Sequence, residues 1–391
     1  MTSMYWEEPL KRKRPSIHAI CTGGGADLVE MLFRPPGASV YLSGASFPYS
    51  SHELEEILGF TPKSACCPET AADLACVAYM KAFGNAQENA IGLGLTATVA
   101  TSRPHRGGER VHACVVSRRS VLSVSMEFGP ELKVGPNLTM EPVPGPRIGL
   151  DARRIDSMDC SRIGMKLILC CIQDVEQEDD KIRFFDRDVS IISADEFVLS
   201  RLLDHSVFMS DERRMSLDDY TPEALFPGSF NPPHAGHFGL AKEIERSFGK
   251  EVAFQISLDP PPDHKSPPTL CNVLERIHLL RGRACLVTKG DPLFIDKARK
   301  FPGVAFAIGS DALVRLLDPV WGPPIEPMLA EFERLNTKFY VAGRLSTDGV
   351  FLRPEDVSIP PKYRSMFITV PGRWDVSSSH IRFTKEESHE D

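Results

Sequence analysis

The chain has 391 residues, 42% hydrophobic and 25% charged, ordinary usage for a globular protein and enough material for two or three cored domains. Its formal charge of −8, from 45 basic and 53 acidic residues, excludes a general basic field for nucleic acid and leaves any anionic ligand to a local site. Ten cysteines without a CxxC pair exclude a disulfide framework or zinc knuckle, and the longest apolar run, "MKLILCCI" from Met165, is far shorter than the ~20 residues of a membrane helix. The expectation is a cytoplasmic protein with reduced thiols.

Residues 1–15 form a basic N-terminal arm whose "KRKR" at Lys11 to Arg14 reads as a solvated segment, with a nuclear address as the alternative. From Ser16 to about Leu122, short apolar strands alternate with small-residue helices: "SIHAIC", "GGADLVEMLF", "SVYLSGASF", "ETAADLACVAYMKAF", "NAIGLGLTATVA" and "RVHACVV". That alternation is an α/β rhythm. An insertion at about 127–188 loses it, being rich in Gly and Pro and then in acid, and is expected to carry one strand, "GMKLILCCI". "SADEFVLSRLLDHSVF" from Ser193 has helical spacing and closes a first domain over 16–208, and the polar stretch 209–223 reads as a linker.

The alternation is cleaner over 224–391. Strands "ALF", "EVAFQISL", "ACLVT", "VAFAIG", "KFYVAG" and "MFITV" are separated by helical segments such as "AGHFGLAKEIERSF" and "PIEPMLAEFERL". Helices of this length between strands imply right-handed crossovers, hence a Rossmann-like, doubly wound parallel sheet that binds ligands at the carboxyl ends of its strands.

"FPGSFNPPHAGH", Phe226 to His237, sits at that end of the first such strand. Gly228 allows a tight turn and close approach of a ligand, and Asn231-Pro232-Pro233 sets an extended turn before the helix. His234 and His237, at i and i+3, project from one side of the first helical turn, where free N–H groups and the helix dipole favour an anion. Together these describe a phosphate site; two surface histidines on a strand–turn–helix corner would be the bland alternative.

"GSFNPPHAGH" resembles the signature of nicotinamide or nicotinic acid mononucleotide adenylyltransferases, within the HxGH nucleotidyltransferase superfamily, and "PPPDHKS", "FAIGSDAL" and "DVSSSHIR" follow in the order that resemblance requires. It implies transfer of AMP from ATP to the 5′-phosphate of the mononucleotide, with release of pyrophosphate and no covalent intermediate. By the same resemblance His234, His237 and Arg382 are the catalytic residues. Gly228, Ser229, Phe230, Lys265, Ser378 and Ser379 bind ATP and its phosphates, and Asn231, Asp311, Trp321 and Arg344 bind the mononucleotide. Ser379 stands where threonine is common and keeps the hydroxyl. Trp321 is either the aromatic beside the pyridine ring or a core tryptophan, and Arg344 has a plain strand-end arginine as its alternative. Mg²⁺ is expected with ATP, held by phosphate oxygens and water, with no protein metal cage. Family members continue with a turn and helix after the "SSTxIR" segment, whereas this sequence ends at Asp391.

"ICTGGGADLVEMLF" with "SGASFPYSSHELEEILG" resembles the C-terminal domain of the CinA family, whose active members deamidate nicotinamide mononucleotide. That family has a serine nucleophile in "ESCTGG" and an activating lysine after "YSN". Here the serine position is Ile20, the preceding acid is Ala19, and the lysine position is Leu54. Neither side chain can act as nucleophile or base, and Cys21 has nothing near it in sequence to lower its pKa. The first domain therefore reads as a degenerate deamidase serving a structural, oligomerising or ligand-sensing role, and a homo-oligomer through it is expected. The Gly23-Gly24-Gly25 turn is read either as a phosphate cradle or as a tight turn.

The expected partners are ATP and a pyridine mononucleotide, with no nucleic acid and no membrane. The rival readings are a non-catalytic nucleotide-binding protein and an HxGH transferase acting on another phosphorylated acceptor.

Overall fold

The computed structural model describes residues 6–85, 89–102, 108–128, 132–134, 140–142, 150–172, 181–184, 187–190, 192–259, 266–320, 322–345 and 351–372. The chain divides into two compact units, 1–202 and 203–391.

In the first unit, strands β1 (Ser16–Thr22), β2 (Leu42–Ser46), β3 (Ala90–Thr98), β4 (Arg110–Ser117), β5 (Val121–Glu127) and β6 (Ile192–Ser193) form a sheet in the order β6-β5-β4-β3-β1-β2. β1 is parallel to β2 and β3, and the remaining pairs are antiparallel. Helices α1 (Glu7–Lys13), α2 (Ala26–Phe33), α3 (Ser51–Leu58), α4 (Pro68–Asn85), α5 (Leu150–Ile172) and α6 (Asp195–Asp204) complete the unit. α3 shows how sequence sets its ends: the Ser50 side chain accepts the Glu53 N–H at 3.2 Å, and Gly59 closes the helix with φ 79°.

Two expectations for this unit are corrected. "KRKR" is solvated as expected, with Arg12, Lys13 and Arg14 exposed, but it is not a free arm: Lys11 to Lys13 lie in the last turn of α1, and Trp6 and Leu10 of the same segment are buried in the core shared with α2 and α5. "GMKLILCCI" is not a strand but the C-terminal half of α5, with Ile163, Met165, Leu167, Ile168, Leu169, Cys171 and Ile172 all buried. A helix surrounded by core shows no 3.6-residue polar face, so periodicity alone cannot separate it from a buried strand.

The second unit holds β7 (Val207–Phe208), β8 (Arg214–Met215), β9 (Ala224–Pro227), β10 (Val252–Ser257), β11 (Cys285–Thr288), β12 (Ala305–Gly309), β13 (Lys338–Ala342) and β14 (Phe367–Val370). Their order is β8-β7-β11-β10-β9-β12-β13-β14, with β9 to β14 mutually parallel. The first and fourth strands of that parallel set, β9 and β12, are neighbours, and the chain winds outward from them in both directions, placing the topological switch point between their carboxyl ends. β10 and β12 are buried almost throughout, as strands covered on both faces must be. The segment read as the end of the first domain and the linker supplies β7, which pairs antiparallel with β11, and β8, which pairs antiparallel with β7 at the edge of the sheet.

Helices α7 (Ala235–Phe248), α8 (Leu270–Leu279), α9 (Phe294–Lys300), α10 (Ser310–Leu316) and α11 (Ile325–Arg334) connect the strands. One core packs β10, β12 and β13 against α9, α10 and α11. On the other side, Phe226, Phe230, Phe238 and Phe254 form an aromatic cluster under the start of α7.

Candidate active site at the switch point

β9 ends at Pro227, and the turn that follows is tightly shaped. A Cβ on Gly228 would lie 2.7 Å from Phe230 Cζ, and Phe230 takes φ 46°, a left-handed conformation unusual for an aromatic residue. This turn folds the Phe230 ring inward, where it is 1% exposed and meets the His237 ring edge-on at 5.0 Å between centroids. Phe230 was expected among the phosphate-binding residues; its side chain forms the floor beneath a histidine. Ser229 and Asn231 on either side are exposed.

His234 is the N-cap of α7 and His237 lies in its first turn, and their rings stack at 3.7 Å. The backbone N–H of His234 donates to His237 Nδ1 at 3.2 Å, so the neutral His237 ring carries its proton on Nε2. Burial, with His234 and Arg344 adding to it, pushes the His237 imidazole down to about 3. His234 is lowered too, by burial first and then by Arg344. His234 is 7% exposed, and neither of its ring nitrogens has a hydrogen-bond partner among the described residues. Leaving such a group desolvated and unpaired costs about 1–3 kcal/mol.

Asp311 follows β12 and Arg344 follows β13. Arg344 Nη1 donates to Asp311 Oδ1 and Oδ2, both at 3.3 Å. His234, His237, Asp311 and Arg344 thus come from the ends of three adjacent strands, and the Arg344 charge acts on both imidazoles. Lys265, Trp321, Ser378, Ser379 and Arg382 lie outside the described residues.

Sequence reasoning did not single out Ser310, whose buried Oγ lies 2.8 Å from Ala342 O and 2.7 Å from Leu352 O. Leu352 belongs to a two-stranded ribbon with Arg344, so this hydroxyl pins the strand that carries the arginine. It also missed a buried polar network at the ends of β10 and β11. Gln255 Nε2 donates to Thr288 Oγ1 and Asp291 Oδ2, both at 2.9 Å, Thr288 Oγ1 donates to Asp291 Oδ1 at 2.8 Å, and Lys297 donates to the Asp291 carbonyl. The available signal was a glutamine inside the apolar strand "VAFQIS".

The corresponding corner of the first unit is filled differently. Ile20 and Leu54, at the positions where the resemblance leads one to seek a serine and a lysine, are both buried in one apolar cluster with Leu58, Leu74 and Ala78. Cys21 is fully buried and its thiol is pushed up to about 12 by that burial, so it offers no thiolate. A Cβ on Gly23 would meet Ala97 O at 1.9 Å, which gives the glycine turn a packing reason.

A cytidylyltransferase-like family model matches residues 225–383. Those residues form a nucleotidyltransferase domain of that type. The match contains the whole switch-point constellation, and it meets the HxGH resemblance in the same histidines. No curated protein matches the sequence. Similar solved structures include a competence-damaged protein (CinA) superfamily protein from Escherichia coli, at 13% identity over 41% of this chain and 83% of that one, with a TM-score of 0.30. Another is a competence/damage inducible protein, CihA, from Agrobacterium tumefaciens, at 16% identity over 44% of this chain and 99% of that one, with a TM-score of 0.30. At these values neither match assigns an activity or a site.

Proposed function

We propose that the nucleotidyltransferase domain transfers AMP from ATP to the 5′-phosphate of nicotinamide or nicotinic acid mononucleotide, giving NAD or deamido-NAD and pyrophosphate. The observation that carries this reading is the buried His234 ring, with both nitrogens unpartnered, stacked on His237. A phosphate at the switch point supplies an acceptor for the N–H of His234, and the Nε2–H of His237 donates to it without any need for a charged imidazole.

In the reaction a mononucleotide phosphate oxygen attacks the α-phosphorus of ATP. The bond to the bridging oxygen breaks, and its electron pair leaves with pyrophosphate. The chain's contribution is alignment and charge dispersal. The two rings donate to phosphoryl oxygens, Arg344 supplies positive charge, and Asp311 accepts from a ribose hydroxyl or holds Arg344. Lys265, Ser378, Ser379 and Arg382 are assigned to the ATP phosphates, and Asn231 and Trp321 to the mononucleotide. Mg²⁺ arrives with ATP and neutralises its phosphates, bound by their oxygens and water. Among the described residues no group of three or more His, Cys, Asp or Glu is placed to hold a metal, and no helix is long and apolar enough to cross a membrane. The first domain, with Ile20 and Leu54 in its core, is assigned a non-catalytic role, which includes self-association.

The test is pyrophosphate release by the full chain with ATP and Mg²⁺, comparing nicotinamide mononucleotide, nicotinic acid mononucleotide and phosphopantetheine, with CTP as the alternative nucleotide donor. Turnover with a pyridine mononucleotide and ATP is expected. Turnover only with phosphopantetheine or CTP reassigns the substrate, and binding without turnover makes the domain a nucleotide sensor.

A further inference from the structure

Gly309 caps α10 with φ −87° and ψ 162°, extended backbone that any residue adopts, so conformational freedom does not account for a glycine there. Space does. A Cβ at this position would lie 2.6 Å from Asp311 Oδ1, 3.4 Å from Arg344 Cδ and 3.8 Å from Arg344 Nη1. We propose that Gly309 is a positioning residue: its missing Cβ lets the Asp311 carboxylate fold back onto the Arg344 guanidinium and so hold that cation beside the histidine pair.

The surroundings determine which group yields if the space is filled. Arg344 is fixed from behind, because Ser310 Oγ bridges Ala342 O and Leu352 O, and Leu352 is the cross-strand partner of Arg344. Its strand is further confined at Gly343, where a Cβ would come within 2.7 Å of Phe351 Cζ. The Asp311 carboxylate is the free end of a rotatable side chain and is about half exposed, with 45% side-chain accessibility. An added methyl group therefore turns Asp311 away and leaves the backbone where it is. Arg344 then loses the partner that fixes its fork. The charge remains, but its aim at a ligand phosphate is lost, and a planar guanidinium depends on aim more than an ammonium does.

This rests on the adenylyl-transfer reading only for its kinetic consequence. The experiment uses the full chain as wild type, Gly309→Ala, Asp311→Ala and the double variant, with two readouts. The first is the side-chain ¹⁵N resonance of the Arg344 guanidinium. It should move in Gly309→Ala to its position in Asp311→Ala, with the double variant coinciding with both and all melting temperatures closely matched. The second is the KM for the pyridine mononucleotide, expected to rise about five-fold in Gly309→Ala, the scale of a partly exposed ion pair, with no further rise when the substitution is added to Asp311→Ala. An unmoved Arg344 resonance, effects that multiply in the double variant, or a Gly309→Ala protein that fails to fold would each overturn the proposal. If the wild type turns over no mononucleotide, the functional reading fails while the Arg344 resonance still decides the positioning role.

Discussion

Each domain runs a parallel strand into a glycine-containing turn and then a helix, and the two corners differ in what fills them. In the first, Ile20 and Leu54 close the space as ordinary core, Cys21 is held as a neutral thiol, and the glycine turn is packed on Ala97. In the second, an aromatic floor supports two stacked imidazoles, one of them buried with no partner. Apolar filling at Ile20 and Leu54 leaves no nucleophile or base in that corner, although His18 and Thr96 on its strands also hold buried polar atoms without partners among the described residues. Polar filling without partners keeps a standing cost that folding alone does not explain. The same local architecture can thus be read as retired or retained from the satisfaction of its side chains.

The contrast is broken most sharply at the histidines. His237→Ala and His234→Ala should each lower pyrophosphate release at saturating substrate by about 10²-fold, the cost of removing one aligned donor from a phosphoryl or acyl transition state. For His234→Ala the melting temperature should change little, since relief of the unpaired ring nitrogens offsets the packing lost with the ring. A loss below two-fold in both would remove the phosphate role. In the first domain the order of effects reverses. Ile20→Ser should destabilise the protein by about 2–4 kcal/mol in denaturant titration, by opening a cavity and burying a hydroxyl, while producing no ammonia from nicotinamide mononucleotide. Measurable deamidation from that single change would mean that the apolar cluster still surrounds a working site.

Much of this was legible in the sequence, for reasons that differ between elements. The second domain's strands and helices alternate with clear breaks, while His234, His237, Asp311 and Arg344 were named through the resemblance to HxGH nucleotidyltransferases, and the strand order places them at the ends of β9, β12 and β13. The place of the Phe230 ring was not legible, because it depends on a left-handed backbone that folds the ring under His237, and sequence does not show φ. Ser310 was invisible because serine is common after a strand, and only the fold brings Ala342 and Leu352 carbonyls to it. The C-terminal half of α5 was read as a strand because core surrounds it, while β7 was hidden at the end of a segment with helical spacing and β8 in the polar stretch that follows.

The smallest expected effect is in acid, and it separates the two corners by what their histidines do. His237 is held down to about 3 from an ordinary 6.5, mainly by burial, and His18 on β1 of the first domain is held down to about 4, by burial and then by Lys81. Between those folded values and 6.5 the unfolded chain carries a proton on each residue that the folded chain does not. Unfolding then takes up protons, so stability contributed by these residues is complete above pH 6.5 and falls as pH drops through the window. His237→Ala and His18→Ala should each flatten the loss of denaturant midpoint between pH 7 and pH 4.5, and unchanged slopes in both would show that neither ring is kept neutral by the fold. In the second domain the same neutrality also bears on activity. Because His237 works as a neutral Nε2–H donor, pyrophosphate release should show no inflection near pH 6.5 that His237→Ala removes. An inflection of that kind would mean that the working form is the imidazolium, and that phosphate binding raises the ring's pKa against the burial that lowers it.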